Sequence, residues 1–132
     1  MRTNKRIQAI VFKNERVLLI QKKDLFSTKK YWRLPKGGIE EGENDLETLK
    51  RELKEETGIT EIIEPKKVFY YEVSRNVPQK ITTYVMKTTQ EPATPSEAIS
   101  EGIIGCKWFE PKQALQKLFF KEEKQALEKA LE

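Results

Sequence analysis

Short apolar runs separated by polar turns open this chain and predict β-strands. Residues 7–12 and 16–21 are two such runs, joined by a polar turn at Lys13-Asn14-Glu15. Within the second run, residues 17–20 are all apolar, which is typical of a strand that is covered on both faces. The pattern therefore predicts a hairpin whose second strand lies between two layers of the fold.

A polar cap and a helical period predict an α-helix over residues 45–57. Asn44 precedes this segment and can cap it, and Glu47 follows three residues later, as a capping box requires. Gly58 can end the helix in the left-handed conformation. Three leucines recur at helical spacing and are predicted to form the buried stripe: Leu46, Leu49 and Leu53.

Three more strands and two more helices are predicted by the same criteria. They are strands at residues 68–73, 81–86 and 103–109, a helix opened by Pro111, and a terminal helix at residues 121–131 after a break near Phe120. The first two of these strands flank a predicted turn at Asn76-Val77-Pro78. The order of elements predicts a mixed α/β fold, and 132 residues with 37% hydrophobic content are enough for one core.

Three glutamates share one face of the predicted helix over residues 45–57. Glu52, Glu55 and Glu56 follow each other at i, i+3 and i+4, so their carboxylates crowd together and repel unless a cation lies between them. Oxygen ligands of this kind suit Mg²⁺ or Mn²⁺. Zinc is disfavoured, because the chain has no histidine and one cysteine. The alternative is a solvated acidic face, which is common in a chain that is 35% charged.

A glycine-containing loop precedes this helix and has the sequence Leu34-Pro35-Lys36-Gly37-Gly38-Ile39-Glu40-Glu41-Gly42-Glu43. Gly37 and Gly38 allow positive φ and let the backbone come close to the site. Loop and helix together give Gly37, five residues, Glu43, seven residues, and then Arg51-Glu52-Leu53-x-Glu55-Glu56-x-Gly58-Ile59. These residues fill every fixed position of the Nudix box over residues 37–59, so the chain resembles the Nudix hydrolases.

The resemblance implies a fold and a chemistry. The implied fold is the Nudix α/β/α sandwich with a mixed β-sheet, formed by a single domain over residues 1–132. The implied chemistry is metal-assisted hydrolysis of a diphosphate linkage, with Mg²⁺ or Mn²⁺ as the cofactor. The implied metal ligands are Glu52, Glu55, Glu56 and a loop carbonyl near Gly37. In the family the arginine, here Arg51, holds a glutamate in position inside the site.

Several further roles follow from the resemblance, each with a simpler alternative. Glu43 either fixes the loop by pairing with Arg51 or acts as an outer metal ligand, and we favour the pairing. Lys36 is expected near the phosphates as a point charge, or is an ordinary exposed lysine. The general base is Glu55 or a loop acid before the late strand. For that loop acid we favour Glu101 over Glu97, and the alternative is an ordinary surface carboxylate.

Within the family, residues 32–37 and 44–48 look most like the diadenosine tetraphosphate (Ap4A) hydrolases. Those enzymes carry a histidine where this chain has Gly38. Tyr70 and Tyr71 are adjacent in a predicted strand, so one should enter the core and the other should face outward. The implied role for one of them is stacking on adenine, with packing or exposure as the alternative. Two strand lysines are candidate phosphate contacts or solvated edge residues: Lys80 and Lys87.

Charge and composition restrict the partners. A net charge of +4 and an isoelectric point near 9.1 suit a polyanionic small substrate or RNA, but no long basic stripe indicates dedicated nucleic-acid binding. No run of 18 apolar residues exists, so no membrane partner is expected. The single cysteine, Cys106, is expected to pack beside Trp108, and a reducing cytoplasm is the default location. Monomer and dimer both stay open.

The best interpretation of the sequence is hydrolysis of Ap4A to ATP and AMP. Two enzymatic alternatives are removal of pyrophosphate from an RNA 5′ end and hydrolysis of oxidised nucleoside triphosphates. A third alternative is a regulatory module that binds a nucleotide without hydrolysing it. The acidic face argues against this last alternative, because a pure binding module has no evident use for it.

Overall fold

The computed structural model describes residues 4–24, 26–74 and 77–132. Within these residues it forms seven strands and four helices. The strands are β1 (Lys5–Lys13), β2 (Arg16–Lys23), β3 (Lys30–Arg33), β4 (Lys36–Gly38), β5 (Ile63–Ser74), β6 (Pro78–Lys87) and β7 (Ile103–Phe109). The helices are α1 (Asp45–Thr57), α2 (Ser96–Ser100), α3 (Pro111–Lys117) and α4 (Lys121–Ala130).

The β1–β2 hairpin organises the sheet. Its two-residue turn has positive φ at both positions, 49° at Asn14 and 65° at Glu15, as a type I′ hairpin turn requires. The two strands pair only close to this turn. Farther along, β1 pairs with β4 on one side and in parallel with β6 on the other, and β6 pairs with β5. The strand β2 pairs with β3 and β7. Because β1 and β2 separate, β4 can occupy the gap between them.

Helices cover both faces of this mixed sheet, which confirms the predicted α/β/α fold. On one face α3 and α4 contribute to a core of nine buried residues: Ile10, Val17, Leu19, Leu34, Phe109, Ala114, Leu118, Ala126 and Leu127. On the other face α1 packs in a second core: Ile7, Ala9, Val11, Leu18, Leu49, Leu53, Ile59 and Met86. The residues of the apolar run at 17–20 are all buried, as predicted for a strand covered on both faces.

The helix α1 begins and ends where the sequence predicts. The side chain of Asn44 accepts from the Glu47 amide, the reciprocal bond closes the capping box, and Gly58 is left-handed with φ 78°. Leu49 and Leu53 are buried, but the prediction for Leu46 is wrong, since it is 43% exposed. Burial along α1 begins only at Thr48, so the first helical turn lies outside the contact with the sheet.

Other elements differ from the sequence prediction mainly at their ends. The predicted strand at 68–73 begins five residues earlier, as β5, and helix α2 was not predicted at all. Only five residues long, α2 follows Pro95 and lacks a side-chain cap, so it carries neither a period nor a capping signal. In the predicted turn at Asn76-Val77-Pro78, Asn76 lies outside the described residues and Pro78 is already the first residue of β6. The break near Phe120 is confirmed.

No helix in the described ranges is both long and apolar enough to cross a membrane.

Two left-handed glycines give a matched test of how α1 is anchored. A Cβ at Gly58 would lie 2.4 Å from the carbonyl oxygen of Ala93, whereas a Cβ at Gly42 (φ 85°) would meet nothing within 4 Å. Gly42→Ala should therefore cost only the left-handed strain, about 1–2 kcal/mol. Gly58→Ala should cost roughly 1–3 kcal/mol more, because the 92–94 segment must also move. Urea unfolding of both variants measures the difference, and equal losses would contradict this contact.

Candidate active site

The contact between Gly37 and Glu52 defines the centre of the candidate site. A Cβ built on Gly37 would lie 1.8 Å from the carboxyl carbon of Glu52 and 2.2 Å from each of its oxygens. Only glycine leaves room for this carboxylate against the backbone of β4. The positive φ that glycine allows is not used at Gly37 and Gly38, because both are part of the extended strand β4, but the close approach of the backbone is present at Gly37. The positive φ of this loop is at Gly42 instead.

A second buried carboxylate on α1 holds the same loop. Glu56 is 6% exposed, as is Glu52, and its Oε1 accepts a hydrogen bond from the backbone N–H of Lys36 at 3.1 Å. This N–H belongs to the first residue of β4. The helix therefore contacts the short strand through two adjacent carboxylates, one by a hydrogen bond and one by close packing.

Arg51 links the loop to the helix through several carboxylates. Its Nε donates to Oε2 of Glu43 at 2.6 Å and its Nη2 donates to Oε1 at 2.9 Å, which is a bidentate pair. Its Nη1 lies 2.8 Å from Oε1 of Glu52 and 3.3 Å from Oε1 of Glu55, and its Nη2 donates to the carbonyl of Gly38. The hydrogen bond from Arg51 is the main reason that the pKa of Glu43 falls to about 2.

The two buried carboxylates lie in an electrostatically unfavourable environment. Burial, followed by the charge of Glu52, raises the pKa of Glu56 to about 8. Arg33, the Lys36 N–H and Lys22 act in the opposite direction but do not compensate. Glu56 is thus an acid that the metal-free fold prefers to keep protonated at neutral pH.

The donor chemistry of this face fits a hard divalent cation. Carboxylate oxygens and a backbone carbonyl are the ligands that Mg²⁺ and Mn²⁺ prefer, and an ion would relieve the repulsion between Glu52 and Glu56. As the side chains lie, no three acidic, histidine or cysteine side chains of the described ranges converge on one point suited to a metal ion. Glu55, whose side chain is 40% exposed, is engaged by Arg51. A three-carboxylate site therefore needs Glu55 to turn away from the guanidinium.

A cationic cleft lies beside Glu56. Burial lowers the pKa of Lys22, Arg33 lowers it further, and Glu56 and Glu101 raise it, so these four groups lie near one another. Six residues line an adjoining cavity of about 500 Å³: Lys22, Lys23, Asp24, Phe26, Ser27 and Glu101. Glu101, the predicted loop acid, follows α2 and borders this cavity. Lys22 and Arg33 were not predicted from the sequence as site residues, although Arg33 lies in the stretch 32–37 that carries the resemblance to the Ap4A hydrolases.

A cluster of aromatic rings continues from this cleft. Tyr31, Phe119 and Phe120 have ring centroids 5.1–5.8 Å apart. The Nζ of Lys29 lies 4.3 Å from the Phe119 ring, and the guanidinium of Arg33 lies 5.4 Å from the Phe120 ring. Phe119 is 51% exposed, so its ring can contact a ligand. This cluster was not predicted from the sequence, because its members come from segments almost 90 residues apart.

The two tyrosines predicted to contact substrate have different surroundings. The hydroxyl of Tyr71 donates to Oε1 of the buried Gln8 at 2.8 Å, and burial raises its pKa. Tyr70 is 49% exposed and donates to Glu72 at 2.8 Å. One ring therefore enters the fold and the other faces outward, as strand alternation predicts. Tyr70 pairs in register with Thr82, Thr82 with Ile7 and Ile7 with Gly37, so Tyr70 lies at the level of Gly37, three strands away.

The two strand lysines lie at opposite ends of β6. Lys80 pairs in register with Lys5, next to the residues of β1 that pair with β4, so it lies at the same end as the carboxylates. Lys87 pairs with Phe12 beside the hairpin turn. Five residues of extended strand, about 16 Å, separate Phe12 from the level of Ile7 and Gly37. Lys87, which lies 4.0 Å from Glu64, is thus remote from the candidate site.

A larger cavity, of about 1040 Å³, lies at the hairpin-turn end of the sheet. Its lining includes Phe12, Arg16, Glu64, Met86 and Lys87. None of the carboxylates of α1 reaches it. The candidate active site is therefore the smaller cleft beside Glu56, where the acidic, cationic and aromatic groups converge.

The raised pKa of Glu56 predicts that removing the charge of this side chain stabilises the fold, by an amount that depends on pH. A carboxyl with a folded pKa of about 8 and an ordinary unfolded pKa near 4.5 destabilises the fold progressively as pH rises from 4.5 to 8. Glu56→Gln keeps an acceptor for the Lys36 N–H and removes the charge. Without divalent ions it should be more stable than wild type by about 1–3 kcal/mol at pH 9, with little difference at pH 4.5.

Thermal and urea unfolding in EDTA at pH 4.5 and 9 measures this difference. Glu55→Gln, at a more exposed position of the same helix, is the control for the substitution itself. A gap between wild type and Glu56→Gln that is the same at both pH values would contradict the burial of an ionisable Glu56.

Comparisons with known proteins agree with this architecture. The family model of the NUDIX domain matches residues 3–130. The RNA pyrophosphohydrolase of Bartonella quintana (strain Toulouse) is 46% identical over 59 residues, which are 42% of this chain and 32% of that protein. The chain thus covers about a third of the length of this curated relative.

Two solved structures show the likeness of the fold. A NUDIX hydrolase from Nitrosomonas europaea superposes with a TM-score of 0.79 at 19% identity and covers 98% of this chain and 89% of its own. The C. elegans Ap4A hydrolase, solved as a binary complex, gives 0.74 at 21% identity and covers 96% and 95%. At such identities the likeness concerns the fold alone. The family model, by contrast, spans nearly the whole chain and includes the Gly37 loop and the carboxylates of α1, and the chain belongs to the NUDIX domain family.

Proposed function

We propose that this chain, as one domain over residues 1–132, hydrolyses a diphosphate linkage in a nucleotide-derived substrate with Mg²⁺ or Mn²⁺. One observation carries the proposal. Glu52 and Glu56 are buried side by side against the backbone of Gly37 and Lys36, at an electrostatic cost that a bound cation would remove. Without a cation the burial of two neighbouring carboxylates destabilises the fold, and a bound cation would offset that cost.

Each residue of the site has a proposed task. Glu52, Glu55, Glu56 and the carbonyl of Gly37 would hold the ion. When bound, the ion supplies charge neutralisation for the phosphates and lowers the pKa of water. Arg51 orients Glu52 through its Nη1, and Glu43 in turn fixes the guanidinium by two hydrogen bonds.

Two carboxylates are placed to accept the proton of the attacking water. Glu55 lies at the exposed margin of the carboxylate face, and Glu101 borders the cleft on the side of Lys22. Both have access to solvent, which a base that must release its proton needs. We retain both as candidates, and a comparison of Glu55→Gln with Glu101→Gln separates them.

Cations beside the carboxylates would bind the phosphates. Lys22 and Arg33 lie near Glu56, and Lys36 is held at the edge of the site by its own backbone N–H. A partly buried guanidinium binds phosphate oxygens with a fixed geometry, whereas lysine acts as a point charge. These residues give the cleft a positive side opposite its acidic face.

The aromatic cluster supports recognition of a nucleobase. Phe119 offers a half-exposed ring, with the Lys29 ammonium 4.3 Å from its centroid and Tyr31 against its side. Stacking of a base on such a ring contributes roughly 1–3 kcal/mol and tolerates different bases. A base held here would direct the attached phosphates along Arg33 toward Glu56.

Among nucleotide-derived substrates we favour the triphosphorylated 5′ end of RNA. The curated relative bears the name RNA pyrophosphohydrolase, and the matched segment is 46% identical. The net charge of +4 and the lysine pairs Lys22-Lys23 and Lys29-Lys30 beside the cleft favour a polyanion longer than a single nucleotide. Ap4A, the substrate favoured by the sequence of residues 32–37, is the second candidate.

A turnover panel with Mg²⁺ tests the proposal. It contains triphosphorylated RNA, Ap4A, oxidised dGTP and ordinary nucleoside triphosphates, with wild type, Glu56→Gln and Glu128→Gln. Glu128 is an exposed residue of α4 and serves as the control. We expect the RNA to be converted fastest, with release of pyrophosphate, and Glu56→Gln to lose at least about 100-fold in kcat without unfolding.

Different outcomes of this panel test the identity of the substrate and the proposed hydrolysis separately. Preferential conversion of Ap4A would replace the RNA assignment and keep the metal site. Equal turnover by wild type and Glu56→Gln, or tight nucleotide binding without turnover in Mg²⁺ and Mn²⁺, would contradict the proposed hydrolysis itself.

A further inference from the structure

A third buried glutamate lies outside the Nudix box, on the last helix. Glu123 of α4 is 1% exposed, and its Oε1 accepts a hydrogen bond from the backbone N–H of Leu34 at 2.7 Å. Its Oε2 lies 3.6 Å from Nη2 of Arg33. Burial raises the pKa of this carboxyl, while Arg33 acts in the opposite direction. Burying a carboxyl group in this position costs free energy unless the group accepts a hydrogen bond.

The hydrogen bond of Glu123 falls on the segment that leads into the active site. Leu34 itself is fully buried, and Pro35 after it has no N–H to donate. The carbonyl of Pro35 accepts from the amide of Ala9 in β1 at 2.9 Å. The N–H of Lys36 donates to Glu56 of α1 at 3.1 Å. Three consecutive residues are thus held by three different elements, α4, β1 and α1.

The next residue in this segment is Gly37, which lies so close to Glu52 that neither can move toward the other. A Cβ there would lie 1.8 Å from the Glu52 carboxyl carbon, so the backbone and the carboxylate are in direct contact. A small shift of the segment at Leu34 would either press Gly37 onto Glu52 or open a gap between them. It would also change the distance from the Lys36 N–H to Glu56.

We propose that Glu123 is a positioning residue of the active site: by accepting the Leu34 N–H it sets the placement of the 34–37 backbone against the carboxylates of α1. This inference rests on the proposed function, because the placement matters for hydrolysis only if the carboxylates and the Gly37 carbonyl hold an ion. Glu123 lies on α4 and its hydrogen bond reaches Leu34, so it acts on the site through the loop.

The same contact ties the loop to the aromatic cluster. The helix α4 begins at Lys121, directly after Phe120, and Arg33 lies between the Phe120 ring and Glu123. Anchoring at Leu34 therefore fixes the start of α4 relative to the metal-binding face. This hydrogen bond, together with the one from the Phe119 N–H to the Trp32 carbonyl at 3.2 Å, sets the distance between the proposed base-stacking rings and the proposed metal ligands.

Three substitutions separate the hydrogen bond from charge and from packing. Glu123→Gln keeps an acceptor at the same distance and removes the charge. Glu123→Asp keeps the charge and shortens the side chain by one methylene group. Glu123→Leu keeps the approximate volume and removes the acceptor. Glu128→Leu, at an exposed position of the same helix, is the matched control.

Two measurements on the folded variants test whether Glu123 places the 34–37 backbone, and neither relies on turnover. Amide chemical shifts of Lys36, Gly37 and Gly38 report the placement of the loop. Titration with Mn²⁺ alone, followed by electron paramagnetic resonance, reports the proposed metal site. We expect Glu123→Gln and Glu128→Leu to resemble wild type in both. Glu123→Asp and Glu123→Leu should shift the three amides and weaken Mn²⁺ binding about 10–100-fold, as loss of a supporting contact does in metal sites.

Several results would overturn the inference. One is unshifted amides and wild-type Mn²⁺ affinity in Glu123→Asp and Glu123→Leu, even if both melt at lower temperature, since Glu123 would then only anchor α4. Another is a Glu123→Gln protein as defective as Glu123→Asp, since an acceptor at the same distance would then not be enough to place the loop. If Glu123→Leu does not fold, the Asp and Gln variants still decide. A wild type that binds no Mn²⁺ would defeat the proposed function, while the amide shifts would still test the positioning.

Discussion

The structure depends on the burial of two carboxylates of one helix against the backbone of a short strand. Glu52 can lie where it does only because residue 37 has no side chain, and Glu56 is held by the N–H of the residue before it. The hairpin β1–β2 makes this arrangement possible, since its strands separate and leave a place for β4. Arg51 then bridges the loop and the helix through Glu43 and the carbonyl of Gly38.

This arrangement costs stability and creates a site. Burial and mutual repulsion raise the pKa of Glu56 to about 8, so the metal-free protein is under electrostatic strain at neutral pH. A divalent ion removes the strain, and binding would therefore stabilise the folded state. Beside the acids lie the positive charges of Lys22 and Arg33 and the rings of Phe119 and Phe120, where we propose that phosphates and a base bind. The buried carboxylates thus lower the stability of the fold at the place where the proposed chemistry needs them.

The sequence predicted the parts of the site that lie close together along the chain. The ends of α1 follow from Asn44 and Gly58, which act within a few residues of themselves, and the spacing of the loop and the glutamates is fixed by the chain. The prediction that Leu46 is buried was wrong, because periodicity gives the direction of a side chain but not the place where the neighbouring sheet ends. Arg33, Phe119 and Glu123 were missed because their roles arise only when β3 and α4 meet, almost 90 residues apart. Of the two properties of glycine considered for Gly37, the close approach of the backbone is the one the structure uses, since the position needs space for Glu52 and not positive φ.

The most direct test of this account is a carbon NMR titration of the Glu56 carboxyl group, with and without saturating Mg²⁺. Glu56→Gln assigns the resonance. The account predicts a pKa of about 8 in EDTA and a fall to the usual carboxyl range or below when Mg²⁺ is bound, because an adjacent cation favours the charged form. An ordinary pKa in EDTA, or a raised pKa that Mg²⁺ leaves unchanged, would contradict the claim that this buried pair is built to receive a divalent ion.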